Sequence, residues 1–127
     1  MKKQIYLGSS IQEDEEVNNW REVCTKYCRS KLEFHDPTAY CQDGYNARDV
    51  IEHNLKLLRK CDLIVVNLTK EDVRTGIELA YARMYGLSIH VIIPDPEKII
   101  DNYLLCFSDA IHESLEKFLE SVKHIPY

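Results

Sequence analysis

Two carboxylates, Asp72 and Glu78, stand six residues apart after the strand-like run 63–67. The pattern that follows places Glu78 in the first turns of a helix, whose dipole lowers the pKa of a carboxylate there, so we expect Glu78 to be ionised at neutral pH. An ionised carboxylate can attack a sugar carbon while a neighbouring acid exchanges a proton with the leaving group, which is the logic of retaining glycosyl transfer. Acidic residues at helix starts also serve as caps, and the spacing alone leaves both interpretations open.

A tyrosine near the end of the first strand-like run, 4–7, is a third candidate for the same site. Because side chains alternate along a strand, Ile5 and Leu7 share one face and Tyr6 points to the other. A phenol at that position can donate a hydrogen bond to Glu78. The alternative is a half-buried sheet tyrosine with no role in chemistry.

Strand-like and helix-like patterns alternate along the chain, which is typical of a parallel α/β sheet. We predict strands at 4–7, 32–35, 63–67, 88–93 and 103–107. Helices are expected to begin near Ile11, at Asn46 and after the loop 69–74, and a last helix is marked by Ile111, Leu115, Phe118 and Val122. The residues expected to face inward are Ile51, Leu55 and Leu58 on the second helix and Ile77, Ala80, Tyr81 and Met84 on the third.

Five strands with intervening helices predict a doubly wound sheet of order 2-1-3-4-5. In such sheets the ligand crevice lies beyond the carboxyl ends of the strands, where the strand order reverses, here between strands one and three. The loops 8–11 and 68–75 flank that point, so Gly8, Ser9 and Ser10 are candidate substrate contacts.

Composition excludes several classes of protein. The chain has 127 residues, 45% of them hydrophobic and 29% charged, which predicts one soluble domain spanning 1–127. A net charge of −5 argues against nucleic-acid binding. The longest aliphatic run, 63–66, is far shorter than the roughly 20 residues of a membrane helix, and no apolar leader opens the sequence. We therefore expect a cytoplasmic protein without a membrane partner.

Cysteine and histidine spacing indicates no metal site. The five cysteines include no CxxC pair, and the five histidines show no ligand spacing. We interpret the cysteines as reduced, buried thiols.

The sequence resembles the nucleoside 2-deoxyribosyltransferase family in collinear order over nearly its whole length. The strongest match is EDVRTGIELAYA at 71–82, with an acid six residues before Glu78 and a Tyr-Ala pair after it. Weaker matches are QIYLG at 4–8, YNARD at 45–49, DLIVV at 62–66, IPD at 93–95 and DNYLL at 101–105.

This resemblance implies a flavodoxin-like or Rossmann-like three-layer sandwich, with a mostly parallel five-stranded sheet. It implies exchange of the base of a 2′-deoxynucleoside, by a ping-pong mechanism with retention and without a cofactor. Glu78 would hold the deoxyribosyl group covalently, Asp72 would handle the proton of the departing and incoming base, and Tyr6 would orient Glu78.

The resemblance also implies the substrate contacts and partners, which are nucleosides and free nucleobases. Asp49 would contact the edge of the base. The loop 8–12 lacks the aromatic residues that some members of the family stack on the base, and Tyr40 or Tyr45 would take their place. Asn102 would come from a neighbouring subunit, which implies a homo-oligomer, a dimer or a hexamer built from dimers, with shared active sites. Tyr127 would approach the site from the chain end.

Two alternatives stay open. The same fold supports hydrolysis of a nucleoside or a nucleoside 5′-monophosphate, but the acidic run 13–16 would repel a phosphate and no Arg or Lys stands between Gln4 and Arg21. A neutral nucleoside is therefore favoured. The second alternative is a nucleoside- or nucleotide-sensing domain without catalysis.

Overall fold

The computed structural model describes residues 2–8, 20–27, 31–37, 46–69, 73–98, 106 and 108–122. Its elements in chain order are β1 (Lys3–Gly8), α1 (Trp20–Thr25), β2 (Leu32–His35), α2 (Ala47–Arg59), β3 (Leu63–Asn67), α3 (Val73–Met84), β4 (Ser88–Ile92), a short 3-10 helix (Pro96–Lys98), β5 (Ala110–His112) and α4 (Leu115–Val122).

The five strands form one sheet in the order β2-β1-β3-β4-β5. All four neighbouring pairs are parallel, with Tyr6 beside His35 on one side and beside Ile64 on the other. The predicted order and the α/β class are confirmed.

Each face of the sheet is covered by helices, because the central strands are apolar at successive positions. On one face Tyr6, Ile64 and Val66 pack with Leu58 of α2 and Leu79 of α3. The opposite face carries a second core, built from Ile5, Leu7, Leu63, Val65 and Ile92 with Trp20 and Cys24 of α1 and Phe118, Leu119 and Val122 of α4. The result is three layers.

The start of α2 follows the predicted capping chemistry. Asn46 is the N-cap residue, and its side-chain oxygen accepts a hydrogen bond from the Asp49 amide at 2.9 Å. After α3, Gly86 has the positive φ of 75° expected of a helix-ending glycine.

The fifth strand and the last helix differ from the prediction. β5 is Ala110–His112, and α4 begins only at Leu115, so Ile111 lies on a strand. Three residues are too few for a clear alternation, and Ile111 happens to keep helical spacing with Leu115. Cys106 lies in a turn, whereas the rest of the proposed strand 103–107 and the helix start at Ile11 lie outside the described residues.

The buried face of α3 is also not the predicted one. Thr75, Glu78, Leu79 and Ala82 are buried, whereas Ile77 and Met84 are 46% and 75% exposed. Tyr81 packs against the core as predicted, but the prediction was wrong for Ile77, Ala80 and Met84. Because α3 has apolar residues on more than one face, periodicity does not select the inner one. On α2, Leu58 is buried and Leu55 packs against the core as predicted, but Ile51 is 47% exposed.

Candidate functional site

The candidate site lies at the carboxyl ends of β1 and β3, where the strand order reverses. Gly8 is the last residue of β1 and pairs with Val66 of β3. A Cβ at Gly8 would stand 2.9 Å from Cγ1 of Val66. A larger residue at this point would therefore displace the Val66 side chain of the central strand.

A buried hydrogen bond joins β1 to α3 at this point. The Tyr6 hydroxyl donates to Oε2 of Glu78 at 2.5 Å, and the two side chains come from positions 72 residues apart. Tyr6 is fully buried and Glu78 is 6% exposed. The short distance is typical of a hydroxyl bound to an ionised carboxylate.

The same contact affects the ionisation of the phenol. Burial raises the pKa of Tyr6 well above its ordinary value, and the charge of Glu78 and the hydrogen bond to it raise that pKa further. Tyr6 therefore stays protonated and acts as a donor that holds the Glu78 carboxylate.

The charges of two arginines, Arg21 and Arg74, affect the pair formed by Tyr6 and Glu78. Arg21 of α1 is 3% exposed, and its Nε lies 3.7 Å from Oδ1 of Asp36. Burial lowers the pKa of Arg21, whereas the carboxylates of Asp36 and Glu78 raise it. Arg74 lies on α3, one turn before Glu78, and its charge lowers the pKa of Tyr6. The guanidinium groups remain charged at neutral pH.

A cavity of about 460 Å³ opens between α2 and α3 beside Glu78. Among the described residues, its apolar wall consists of Ala47, Val50, Ile51, Leu55, Val73 and Ile77. Its polar groups are Asn54, Arg74 and Glu78. An apolar cavity of this size with a few polar groups is typical of a small-molecule site.

Asn54 stands out among these polar groups. It is 4% exposed, and its Oδ1 has no hydrogen-bond partner among the described residues. Buried polar atoms are rarely left unsatisfied, because each costs about 1–3 kcal/mol. Asn54 thus brings a buried, unused acceptor to the wall of the cavity.

The structure brings some of the predicted residues together and leaves others apart. Tyr6 and Glu78 are in contact, and Gly8 ends the strand that carries Tyr6. Asp49 is exposed in the first turn of α2 and is not among the described residues that line the cavity. The remaining candidates lie outside the described residues: Ser9, Ser10, Tyr45, Asp72, Asn102 and Tyr127.

Arg21 and Asn54 were missed by the sequence argument, although both carry a signal. Arg21 adjoins the buried Trp20 and stands three residues before the buried Cys24, and Asn54 stands four residues before the buried Leu58. A polar residue on the apolar stripe of a helix is unusual and marks a position with a special partner.

Within the described part of the chain, no helix is long and apolar enough to cross a membrane. No group of three or more residues there has the arrangement needed to hold a metal ion.

Comparison with known proteins identifies the fold. No family model and no curated protein sequence matches the chain. Among solved structures, a conserved protein of Enterococcus faecalis V583 has a TM-score of 0.83 at 14% identity, covering 97% of this chain and 98% of that one. A 2-deoxyribosyltransferase of Leishmania mexicana has a TM-score of 0.71 at 21% identity, covering 98% and 99%. The chain shares the fold of that enzyme.

A CMP N-glycosidase of Clostridium botulinum has the same fold, with a TM-score of 0.67 at 16% identity over 95% of this chain and 98% of that one. Transfer and hydrolysis at N-glycosidic bonds are thus both found on this architecture.

Proposed function

We propose that the protein is a nucleoside 2-deoxyribosyltransferase, which exchanges the base of a 2′-deoxynucleoside through a covalent deoxyribosyl–Glu78 intermediate. The observation that carries the proposal is the environment of Glu78, which is 6% exposed, is held by Tyr6 at 2.5 Å and lines a cavity of about 460 Å³. A buried, oriented carboxylate at the mouth of a small-molecule cavity suits a nucleophile better than a helix cap.

The first half of the reaction forms one bond and breaks another. An oxygen of Glu78 attacks C1′ of the sugar, the C1′–N bond breaks, and its electron pair stays on the base nitrogen. The departing base takes up a proton, and we assign the donation of this proton to Asp72. In the second half, a nitrogen of the incoming base attacks C1′, the C1′–Oε bond breaks, and the proton returns to the acid. Two inversions at C1′ give net retention.

We assign the α2–α3 cavity to the base. Its apolar walls suit a flat heterocycle, and Oδ1 of Asn54 can accept a hydrogen bond from a ring or amino N–H of the base. In this arrangement Asn54 is the polar residue of α2 that faces the base, because Asp49 is not among the described residues that line the cavity.

The test is chromatography of purified protein incubated with 2′-deoxyinosine and free adenine. We expect new 2′-deoxyadenosine and an equal amount of hypoxanthine. We expect Glu78→Ala to reduce the rate by at least about 10³-fold, because nothing else supplies the covalent intermediate. Glu116→Ala is the matched control, since Glu116 is exposed on α4 at the opposite face of the sheet, and it should keep full activity.

Full activity in Glu78→Ala, with an unchanged circular dichroism spectrum, would contradict the proposal. Hypoxanthine released without a new nucleoside would assign the protein to hydrolysis, because transfer and hydrolysis share the intermediate and differ in whether water reaches it.

A second candidate is hydrolysis of a nucleoside 5′-monophosphate, and one observation favours it. Arg74 lines the cavity beside Glu78, where a guanidinium can bind a phosphate. The CMP N-glycosidase that shares the fold is a precedent for such a substrate. Incubation with deoxycytidine and with dCMP in parallel discriminates the two: faster release of cytosine from dCMP, lost in Arg74→Gln, would support the second candidate.

A further inference from the structure

His35, the last residue of β2, is held by a short chain of hydrogen bonds. Its Nε2 lies 2.5 Å from Oε1 of Gln4 on the neighbouring strand β1. The amide nitrogen of Gln4 donates in turn to Oε2 of Glu33 at 2.9 Å and to the carbonyl oxygen of Lys2 at 3.1 Å. A carboxylate and a carbonyl both accept, so these two partners determine which way the Gln4 amide is turned.

This chain determines which ring nitrogen of His35 carries a proton. Because Oε1 of Gln4 can only accept, Nε2 of His35 must donate to it. In the neutral ring Nδ1 then keeps its lone pair and is an acceptor. The imidazole is thus fixed through one nitrogen and oriented for a contact through the other.

Nδ1 of His35 is available for such a contact. The described residues form no hydrogen bond with it, and it is not among the buried polar atoms that lack a partner, so it reaches the surface. The two nitrogens of an imidazole point away from each other. Gln4 pairs with Glu33, two residues nearer the amino end of β2, so Nδ1 faces the carboxyl end of the sheet, where the candidate site lies.

His35 lies beside the residues of that site. It pairs with Tyr6 across two neighbouring strands, which are about 4.8 Å apart. Its contact with Gln4 places the ring on the face that carries Tyr6, because residues 4 and 6 of a strand share a face. Tyr6 is therefore both the neighbour of His35 in the sheet and the hydrogen-bond partner of Glu78.

The sugar is the part of a bound nucleoside that corresponds to this position. The proposed function places the base in the α2–α3 cavity and C1′ at Glu78, and His35 is not among the described residues that line the cavity. A donor that meets Nδ1 therefore belongs to the sugar, whose donors are its hydroxyl groups. Gly8, the residue of β1 that follows Tyr6 on the same face, has no side chain that would separate the two.

We propose that His35 binds a hydroxyl group of the sugar, with Nδ1 as the acceptor and Gln4 as the residue that fixes the ring. The proposal deepens the proposed function, on which it rests for the position of the nucleoside. It also predicts a specificity: a phosphate ester at that hydroxyl has no proton to donate to Nδ1, so the contact selects a free hydroxyl.

The experiment measures nucleoside binding by isothermal titration calorimetry in a Glu78→Gln background, which prevents turnover. His35→Gln keeps an amide near the position of Nε2 and loses Nδ1, and we expect it to raise the Kd of 2′-deoxyinosine by about 3- to 10-fold. His35→Asn keeps a polar atom near the position of Nδ1 and should raise the Kd by less than about twofold. His112→Gln is the matched control, since His112 lies on β5 at the opposite edge of the sheet and contacts Phe118, and it should leave the Kd unchanged.

Two analogues, 2′,3′-dideoxyinosine and 2′,5′-dideoxyinosine, identify the hydroxyl. The analogue that lacks the bound hydroxyl should bind the background protein about 3- to 10-fold more weakly than 2′-deoxyinosine, and His35→Gln should not weaken it further. An equal effect of His35→Gln on 2′-deoxyinosine and on both analogues would overturn the proposal in favour of a structural role or a contact with the base. An unchanged Kd for 2′-deoxyinosine in His35→Gln would also overturn it.

Nitrogen-15 NMR of protein labelled at histidine is a second measurement that leaves His35 in place, with His35→Gln used only to assign its resonances. In the Glu78→Gln background we expect the proton on Nε2, and we expect 2′-deoxyinosine but not free hypoxanthine to move the Nδ1 resonance. A proton on Nδ1 in the free protein, or an Nδ1 resonance that the nucleoside does not move, would contradict the contact.

Binding needs no turnover, so the two proposals can fail separately. The expected pattern of Kd values without any base exchange in the wild type would contradict the proposed function and leave the contact of His35 standing. Base exchange in the wild type, with Kd values that do not respond to His35→Gln, would contradict the contact of His35 alone.

Discussion

Two hydrogen-bonded pairs of polar side chains lie on opposite faces of the same sheet. On the face covered by α2 and α3, the Tyr6 hydroxyl donates to Glu78 at 2.5 Å. On the face covered by α4, Nδ1 of His90 and Nε2 of His112 are 2.9 Å apart, and both rings meet the edge of Phe118. Each pair joins two elements that the sequence separates.

The two pairs differ in charge and in what surrounds them. Glu78 borders a cavity and lies within the field of two arginines. The histidine pair is neutral at pH 7, because burial lowers the pKa of His90 to about 4 and also lowers that of His112. The lesson is that a buried polar pair is suited to chemistry only when it holds a charge next to space for a ligand.

Removing the hydroxyl that donates to Glu78 should have the largest effect on the charged pair. Tyr6→Phe leaves the buried Glu78 carboxylate without its hydroxyl partner, and a hydrogen bond to a charged group contributes about 1.5–3 kcal/mol. We therefore expect base exchange to fall by about 10- to 100-fold. The measurement is kcat/KM for the exchange reaction, with Tyr85→Phe as the matched control, since Tyr85 is an exposed tyrosine that directly follows the last residue of α3. Equal rates for the wild type and Tyr6→Phe would show that Tyr6 is only a core residue.

A smaller effect is expected at the cavity wall. Asn54→Leu removes the unsatisfied Oδ1 and keeps a similar side-chain volume, so we expect the free energy of unfolding to rise by about 1 kcal/mol. The same change removes an acceptor for the base, and KM for 2′-deoxyadenosine should rise about tenfold. Urea denaturation and steady-state kinetics measure the two effects.

A further variant, Asp49→Asn, discriminates between Asn54 and Asp49 as the residue of α2 that contacts the base. A larger rise in KM in Asp49→Asn than in Asn54→Leu would assign the base contact to Asp49.

The sequence was sufficient for the elements whose pattern is strong. The run 63–67 is β-branched and apolar, and it became the central strand β3 with the predicted bounds. β5 has three residues and no pattern of its own, so its place is determined by pairing with β4, which only the folded chain shows. The inner face of α3 is likewise selected by the contact between Tyr6 and Glu78 and not by periodicity.

The residues of the candidate site also differ in how far the sequence predicts them. Strand alternation and helix position were enough to suggest that Tyr6 and Glu78 meet. Arg21 and Asn54 were beyond that reasoning, because a polar residue in a helix stripe shows that a partner exists without showing which one. Arg21 contacts Asp36, which follows a different strand, and Asn54 lines the cavity between two helices.

The smallest predicted effect concerns the neutral pair. Because the pKa of His90 is lowered in the folded state, the unfolded chain binds more protons between about pH 6.5 and pH 4, and stability falls as the pH falls through this window. His112 acts in the same direction, whereas Asp109 opposes the shift of His90 and Lys3 adds to it. The limiting slope of the free energy of unfolding is about 1.4 kcal/mol per pH unit for one proton. Partial exposure of the pair reduces this slope to less than about 1 kcal/mol per pH unit.

Urea midpoints measured between about pH 7 and pH 5 should fall more steeply for the wild type than for a double variant with His90→Gln and His112→Gln, while base exchange at neutral pH stays the same in both. Parallel pH dependences would mean that the histidine pair is charged in the folded protein, and a loss of exchange in the double variant would mean that the two faces of the sheet are coupled.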